Sequence, residues 1–193
     1  MILVTGFEPF DKYRYNPSER IARFLHEALN YPYVILPVSY GSALEKLREE
    51  FHKHNPRAIV SFGLAAGRPF VSIERFALNR QGPKKDNEGK TVYGKIDPEG
   101  PDALMTKFPV NGIVDELKRR GIPAYESFHA GTYLCNAVYY EALRLTNGRA
   151  LFVHVPLDYD TVIAQDLRMP AMPIEYLFKG ARIIVERVQK IIL

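Results

Sequence analysis

Short apolar runs alternate with amphipathic segments along most of the chain. The runs have the length and composition of buried strands, and they occupy positions 2–4, 33–38, 58–63 and 151–155. Apolar residues recur at helical spacing in the segments that begin near Asn16, Ser42, Val110 and Ile174. Strands and helices that alternate in this way predict an α/β protein with a largely parallel sheet.

Two stretches depart from this rhythm. Residues Val71–Leu78 suggest a further strand pair or an edge hairpin, whereas the polar, Gly- and Pro-containing stretch Gln81–Asp102 predicts a long functional loop. The chain has no internal repeat and no linker rich in Pro, Gly or Ser. We therefore predict that residues 1–193 form a single domain.

The composition is that of an ordinary globular protein, with 47% hydrophobic and 25% charged residues. The net charge of +4 is not accompanied by a nucleic-acid motif or a long basic tract, so we expect no nucleic-acid partner. No apolar run approaches the ~18 residues that a membrane span requires, and the opening apolar residues are too few for a signal peptide. These features favour a cytoplasmic protein that does not bind a membrane.

Cys135 is the only cysteine, and without C-x-x-C pairs we expect neither a metal nor another cofactor. Residues 122–128 before it resemble a strand, residues 137–143 after it resemble a helix, and Gly131 and Thr132 predict the turn and the N-cap between them. In the first turn of that helix, free N–H groups and the helix dipole favour a thiolate with a lowered pKa, or hold an oxyanion. The alternative is a buried structural thiol.

A cysteine nucleophile needs a base, and histidine is the most suitable residue. We interpret His26, His52 and His54 as surface or packing residues, because they lie within a helix or near its end. His129 is close to Cys135 in sequence, whereas His154 lies inside an apolar strand, where a buried imidazole needs a polar partner. A core histidine that is satisfied by the backbone is the alternative for His154.

A carboxylate is the usual group that orients a catalytic imidazole. Glu74 follows the turn-rich segment 65–69 and is a candidate for this role. A surface Glu74–Arg75 ion pair is the alternative interpretation.

Seven segments of the chain, in order, resemble the pyrrolidone carboxyl peptidase family, also called pyroglutamyl peptidase type I. They are Thr5–Phe10, Asn16–Arg20, Gly63–Arg68, Ser72–Arg75, Asp86–Gly89, Ala130–Asn136 and Phe152–Pro156. The resemblance extends over essentially the whole chain. It implies a cytosolic, exo-acting cysteine peptidase that removes an N-terminal pyroglutamyl residue from peptides.

The resemblance also implies a mechanism and an architecture. The family's Cys-His-Glu triad corresponds to Cys135, His154 and Glu74, which would act through a thioester acyl-enzyme. The implied fold is a three-layer α/β/α sandwich around a mostly parallel, mixed sheet of the phosphorylase/hydrolase type. Family members are commonly homo-oligomers, often tetramers.

A substrate pocket is implied as well. Pyroglutamate is a small neutral lactam, which requires an apolar slot with a few hydrogen-bonding groups at its rim. By resemblance, Phe7 and Phe10 line this slot and the backbone near Leu64 contributes hydrogen bonds. The alternative is that the two phenylalanines are ordinary core residues.

The sequence departs from the family pattern at two places. Asp11 and Lys12 stand where the family usually has Gly-Gly, which leaves the conformation of this loop open. The family also tends to carry an arginine shortly before the Asp-Asn-Glu-Gly segment, where this chain has Lys84 and Lys85. Neither lysine is assigned a role from the sequence.

Two other functions stay open, namely a cysteine amidohydrolase of the same fold acting on another small amide, and a non-catalytic ligand-binding relative. For assembly, we expect the loop Gln81–Asp102 to cover the active site or to contact a partner subunit through Val92, Tyr93 and Ile96. The apolar face of the C-terminal helix is expected to pack mainly within its own chain.

Overall fold

The computed structural model describes all 193 residues, in nine strands and six α-helices. The strands are β1 (Ile2–Phe7), β2 (Tyr33–Leu36), β3 (Ala58–Leu64), β4 (Val71–Leu78), β5 (Ala103–Met105), β6 (Ala124–His129), β7 (Ala150–Val155), β8 (Leu157–Asp158) and β9 (Ala171–Met172). The helices are α1 (Pro17–Leu29), α2 (Ser42–His54), α3 (Val110–Arg119), α4 (Leu134–Leu145), α5 (Tyr159–Ala164) and α6 (Ile174–Ile192).

Seven strands form one mixed sheet. Strands β2, β1, β3 and β7 lie side by side in this order and are parallel. Strand β4 runs antiparallel to β7, and it pairs in parallel with β6 and antiparallel with β5. Strands β8 and β9 form a separate two-stranded sheet.

Helices cover both faces of the large sheet, because successive strand residues point to opposite sides. On one face, residues such as Ile2, Val60 and Val153 pack with α1, α3 and α6 in a cluster of 29 buried residues. On the other face, residues such as Leu3 and Phe152 pack with α2 and α4 in a cluster of 19 buried residues. This arrangement confirms the predicted α/β/α sandwich around a mostly parallel sheet.

The elements predicted from the apolar pattern are present, with one strand predicted wrongly. Residues Val71–Leu78 form a single strand, which pairs with β7 and β6 and so lies inside the sheet rather than at its edge. The strand is internal because β7, which follows much later in sequence, inserts between β3 and β4. The apolar pattern did not predict β5, β8, β9 or α5, whose ranges are short.

The stretch Gln81–Asp102 is a loop, as predicted, and polar side chains hold its backbone in place. The side-chain oxygen Oδ1 of Asn79 accepts hydrogen bonds from the backbone N–H groups of Ile96 and Asp97, each at 2.9 Å. Asp86 is buried, and its carboxylate accepts hydrogen bonds from the N–H groups of Tyr40, Glu88 and Lys90. These contacts fix the loop over the α2/α4 side of the protein.

Two of the three apolar residues of this loop are already partly covered by their own chain. Val92 and Ile96 pack against the protein's own core on the α4 side, because the loop folds back onto that side. Tyr93 is the most exposed of the three, with 71% of its surface open to solvent. The C-terminal helix behaves as expected, since Leu177, Ile184 and the rest of its apolar stripe belong to the intramolecular core.

No helix combines the length and the apolar character that crossing a membrane would require. The chain also contains no group of three or more His, Cys, Asp or Glu side chains that is arranged to hold a metal ion.

Candidate active site

The candidate residues lie near the carboxyl ends of the parallel strands and on one face of the sheet. Strands β1, β3 and β7 are parallel, so their carboxyl ends, at Phe7, Leu64 and Val155, lie at the same edge. This edge is where open α/β sheets usually bind ligands. His154 shares the face of Phe152, and Glu74 shares the face opposite Ile73, so both side chains are on the α4 side. Strand pairing alone therefore brings His154 and Glu74 together.

Glu74 and His154 form a hydrogen bond. The distance from His154 Nδ1 to Glu74 Oε1 is 2.7 Å, and both side chains are buried. Their strands are held in register by the antiparallel pairing of Ser72 with His154 and of Glu74 with Phe152. Because a carboxylate only accepts, this bond assigns the proton of the neutral imidazole to Nδ1 and leaves Nε2 as a base.

Arg68 forms the other hydrogen bond to the same carboxylate oxygen. Its Nη1 atom lies 2.8 Å from Glu74 Oε1 and 2.6 Å from the hydroxyl oxygen of Ser72. Burial acts to raise the pKa of Glu74, but His154, through its hydrogen bond and its charge, outweighs it together with the side chains of Ser127 and Arg68. The pKa of Glu74 therefore lies below its ordinary value, and the carboxyl is ionised.

Cys135 is in the first turn of α4, as predicted from the sequence. The N-cap is Tyr133 instead of Thr132, because the Thr132 hydroxyl donates to the carbonyl of Gly82 at 2.6 Å in the long loop. The backbone N–H of Cys135 has no backbone acceptor. That free donor lies beside the thiol, at the positive end of the helix.

The thiol lies above the strand pair that carries His154. A Cβ atom built on Gly63 would be 3.1 Å from Cys135 Sγ, and Gly63 is the register partner of His154 in the β3–β7 ladder. Cys135 and His154 line the same cavity, without a direct hydrogen bond between thiol and imidazole. The nucleophile is thus held by α4, whereas the base is held by the sheet.

The expected low pKa of Cys135 is wrong for this structure. Burial among apolar side chains raises the pKa of the thiol to about 12, and the nearby charge of Glu74 acts in the same direction. The cations Lys84 and Arg68 only partly oppose this shift. Burial also lowers the pKa of His154, against the raising effect of Glu74. The resting pair is therefore a neutral thiol beside a neutral imidazole, which favours general-base catalysis over a preformed ion pair.

A cavity of about 320 Å³ opens above Cys135 and His154, and most of its lining is apolar. Phe7, Phe10 and Leu64, the three residues proposed for the lactam slot, all lie in its wall. Phe7 is also a core residue, because it is only 3% exposed and its ring centroid is 6.3 Å from that of Phe152. Phe10 is half-buried and contacts Tyr13 and Tyr133.

The loop after Phe10 is built without the family's glycines. Asp11 takes a left-handed conformation with φ of 58°, in a turn that is closed by the hydrogen bond from the Tyr13 N–H to the Phe10 carbonyl at 3.2 Å. Aspartate tolerates this conformation better than most residues. Gln165, beyond α5, holds the loop by bonding the backbone of Lys12 and Arg14. The turn places Tyr13 in the cavity wall.

Lys84, but not Lys85, reaches the cavity from the long loop. Its ammonium group lies 4.9 Å from the centre of the Phe10 ring and 5.0 Å from that of Tyr133. Cation–π contacts of this kind hold a charge at the mouth of an apolar cavity. Lys84 therefore places a positive charge near the region where the family pattern has its arginine.

The other histidines lie away from this cavity. His129 is exposed at the end of β6 and accepts a hydrogen bond from the Gly131 N–H at 3.2 Å. His26 contacts the Tyr31 carbonyl, and His54 pairs with Glu50 on α2. None of them lines the cavity that Cys135 and His154 share.

Sequence reasoning assigned no function to Arg68, Tyr13 and Gly63. Arg68 follows Gly67, and a glycine in a turn just before a strand is the signal that could have drawn attention to it. The role of Gly63 depends on a close approach of Cys135 Sγ and Phe152 in space, which no local pattern reveals.

The chain is similar to known proteins over almost its whole length. The family model described as pyroglutamyl peptidase matches residues 1–191. Pyrrolidone-carboxylate peptidase 1 of Saccharolobus solfataricus is 35% identical over 96% of this chain and 92% of its own length. The pyrrolidone-carboxylate peptidase of Bacillus subtilis is 34% identical over 94% of this chain and 89% of its own length.

Solved structures show the same fold. A mutant pyrrolidone carboxyl peptidase from Pyrococcus furiosus superposes with a TM-score of 0.93 at 34% identity, covering 100% of this chain and 99% of the other. The pyrrolidone carboxyl peptidase from Thermococcus litoralis superposes with a TM-score of 0.90 at 32% identity, covering 98% and 93%. This chain is therefore an enzyme of the pyroglutamyl peptidase family, a family of hydrolases.

Proposed function

We propose that this enzyme removes an N-terminal pyroglutamyl residue from peptides, with Cys135 as nucleophile, His154 as general base and acid, and Glu74 as the residue that orients His154. The observation that carries the proposal is the buried 2.7 Å hydrogen bond between Glu74 and His154, beside the thiol and in an apolar cavity. Pyroglutamate has no charged amine, so an apolar slot suits it better than an acidic clamp.

In the proposed reaction, His154 Nε2 takes the proton of the Cys135 thiol, and the sulfur attacks the carbonyl carbon of the pyroglutamyl residue. The backbone N–H of Cys135, which has no backbone acceptor, stabilises the oxyanion that forms. When the C–N bond breaks, the imidazolium gives its proton to the leaving amine. A water molecule, deprotonated by His154, then hydrolyses the thioester and restores the thiol.

The wall of the cavity supports the proposed recognition of the lactam. Phe7 and Phe10 present rings, and the end of β3 at Leu64 presents backbone groups. The lactam N–H and C=O require polar partners that an apolar wall alone does not supply. Backbone groups at the Leu64 end of β3 are suited to that task, because the sheet ladder stops there.

We also propose that the protein assembles into homo-oligomers, with the tetramer implied by family resemblance. Tyr93 is a candidate contact, since it is the exposed aromatic residue of a loop that is otherwise fixed to the protein. Its ring, 71% exposed, would be covered in such an assembly.

A substrate comparison tests the proposed activity. Chromogenic amides of pyroglutamate, proline and free glutamine have the same leaving group and differ only in the acyl part. We expect rapid hydrolysis of the pyroglutamyl amide alone, because proline lacks the lactam carbonyl and glutamine carries a charged amine. Equal hydrolysis of all three would indicate a broader amidohydrolase, and hydrolysis of none would indicate a non-catalytic relative.

A further inference from the structure

The turn between β3 and β4 brings the side chain of Arg68 to the carboxylate of Glu74. The N–H of Arg68 bonds the Ala65 carbonyl at 3.1 Å, and Gly67, at the third position of this turn, has φ of +95°. This is the turn type that requires a glycine at that position. The Ala65 N–H bonds the Val155 carbonyl at 2.9 Å, which fixes the turn to the end of β7. Arg68 is therefore held by the same strand end that holds His154.

We propose that Arg68 is a positioning residue of the active site, which fixes the Glu74 carboxylate in the orientation and ionisation state that His154 needs. The proposal rests on the function proposed above, and it goes beyond the triad, since Arg68 acts through Glu74. Its basis is the shared oxygen, because Arg68 Nη1 and His154 Nδ1 both lie within hydrogen-bond distance of Glu74 Oε1.

Glu74 depends on these two donors. The side chain of Glu74 is 0% exposed, and its second oxygen, Oε2, receives no hydrogen bond within the chain. A buried carboxylate without compensation is strongly disfavoured. If Arg68 were absent, the imidazole of His154 would be the only donor left on Glu74 Oε1, and the buried negative charge would favour protonation of that imidazole. A protonated His154 cannot act as a base.

The charges of the site support the same conclusion. The ionisable groups around His154 are Glu74 on β4, Cys135 on α4 and Arg68 in the turn. The rest of the cavity wall adds Lys84, Asp11, Tyr13 and Tyr133. With Arg68 present, the Arg68–Glu74 pair is neutral both before and after a proton passes from Cys135 to His154. The cation of Arg68 also lowers the pKa of both His154 and Cys135. Its removal therefore shifts every titration of this cluster to higher pH.

Ser72 completes the placement of the guanidinium. Its hydroxyl is buried and accepts the 2.6 Å hydrogen bond from Arg68 Nη1. Ser72 is also the register partner of His154 in the β4–β7 ladder. Arg68 is 31% exposed at its side chain, so it closes the polar cluster on the solvent side. A lysine at this position keeps the charge but loses the rigid planar group that places Nη1 between the two oxygens.

The test compares Arg68→Met, Arg68→Gln and Arg68→Lys with a matched control, Arg75→Met. Arg75 lies one residue after Glu74, but it pairs with Glu126 and Asn111, away from the cavity. Two pH profiles are measured for each variant, one of kcat/KM on a pyroglutamyl amide and one of alkylation by iodoacetamide. Cys135 is the only cysteine, so alkylation reports on its thiol alone.

We expect the acid limb of both profiles to move up by about one pH unit in Arg68→Met and Arg68→Gln. The loss of kcat is then about tenfold greater at pH 6 than at pH 8.5, with little change in KM. Arg68→Lys restores the position of the acid limb while its kcat stays reduced, because a flexible ammonium lacks the rigid guanidinium plane that holds Nη1 between Glu74 Oε1 and Ser72 Oγ. Arg75→Met follows the wild type.

Unchanged acid limbs in the folded Arg68→Met variant would overturn the proposal. A rise in KM with unchanged kcat would also overturn it, because Arg68 would then be a substrate contact. If the uncharged variants do not fold, as judged by circular dichroism, Arg68→Lys decides alone, and wild-type kcat in that variant contradicts the proposal. If the wild type hydrolyses no pyroglutamyl amide, the proposed function fails, whereas the alkylation profiles still test Arg68.

Discussion

Because Gly63 has no side chain, Cys135 Sγ and the Phe152 ring can both lie close to the backbone of β3. The substitution Gly63→Ala tests that arrangement. A Cβ atom at this position would lie 2.8 Å from Cζ and 3.0 Å from Cε1 of Phe152, and 3.1 Å from Cys135 Sγ. Carbon atoms in ordinary contact are about 3.5–4.0 Å apart, so the ring or the strand would have to move by roughly 0.5–1 Å. The thiol would have to move as well.

The Phe152 ring cannot move freely. It is fully buried, and its centroid lies 6.3 Å from that of Phe7, 5.7 Å from that of Tyr139 and 4.9 Å from that of His154. Overpacking of such a core costs about 1–3 kcal/mol. For a chain of this length, 1 kcal/mol corresponds to a change in Tm of about 2–4 °C. We therefore expect a decrease in Tm of roughly 3–10 °C.

Activity should fall further than stability. A displacement of about 1 Å in a reacting group can lower a rate by about 100-fold. We expect kcat of Gly63→Ala on a pyroglutamyl amide to fall by roughly 10- to 100-fold. Thermal unfolding by circular dichroism and steady-state kinetics measure the two effects on the same preparation.

Gly112→Ala is the matched control for this substitution. Gly112 lies in α3 on the opposite face of the sheet, and its added Cβ would approach no atom closer than the Cβ of Pro109 at 3.9 Å. An alanine inside a helix stabilises by about 0.5–1 kcal/mol, so Tm should rise slightly without a change in kcat. Wild-type Tm and kcat in Gly63→Ala would refute the placement of Cys135 above the Gly63–His154 pair.

Three further predictions follow from the site and its surroundings. Phe10→Ala should raise KM for the pyroglutamyl amide and leave Cys135 alkylation nearly unchanged. Phe7→Ala should also lose about 3–5 kcal/mol of stability in urea unfolding, since Phe7 is 3% exposed. Equal stability losses in the two variants would contradict the assignment of Phe7 alone to the core. Burial raises the pKa of Cys135 in the folded protein above its value in the unfolded chain. As the pH rises from about 9 toward 12, the thiol therefore ionises in the unfolded chain first, and the free energy of unfolding falls by about 1 kcal/mol per pH unit. Cys135→Ala should remove that part of the alkaline slope, and identical slopes would contradict it. Light scattering should give a mass above 22.1 kDa, which Tyr93→Ser reduces; a wild-type mass near 22.1 kDa would contradict the proposed assembly.

Much of the fold could be predicted from the sequence, because the apolar run of a strand and the apolar stripe of a helix indicate locally which residues are buried. Strand β7 and helix α6 are examples. The position of β4 could not be predicted, since its neighbour β7 comes from a distant part of the chain. The short strands β8 and β9 pair only with each other, so their local signal is weak.

The candidate site shows the same division. Cys135 at a helix start could be predicted from the strand-like and helix-like segments around it, and His154 stood out as a polar residue in an apolar strand. The protonation state of Cys135 could not be predicted, because it depends on how many apolar side chains surround the thiol. The role of Arg68 could not be predicted either, since only the turn at Gly67 brings its guanidinium within hydrogen-bond distance of Glu74.

The proposed mechanism depends on Cys135 as the nucleophile. The most direct measurement is the hydrolysis of a pyroglutamyl amide by Cys135→Ala, with the fold checked by circular dichroism. We expect a folded protein whose kcat is lower by at least about 10⁴-fold, because His154 and the oxyanion site have no sulfur to act upon. A folded Cys135→Ala variant with more than about a hundredth of wild-type activity would contradict the account.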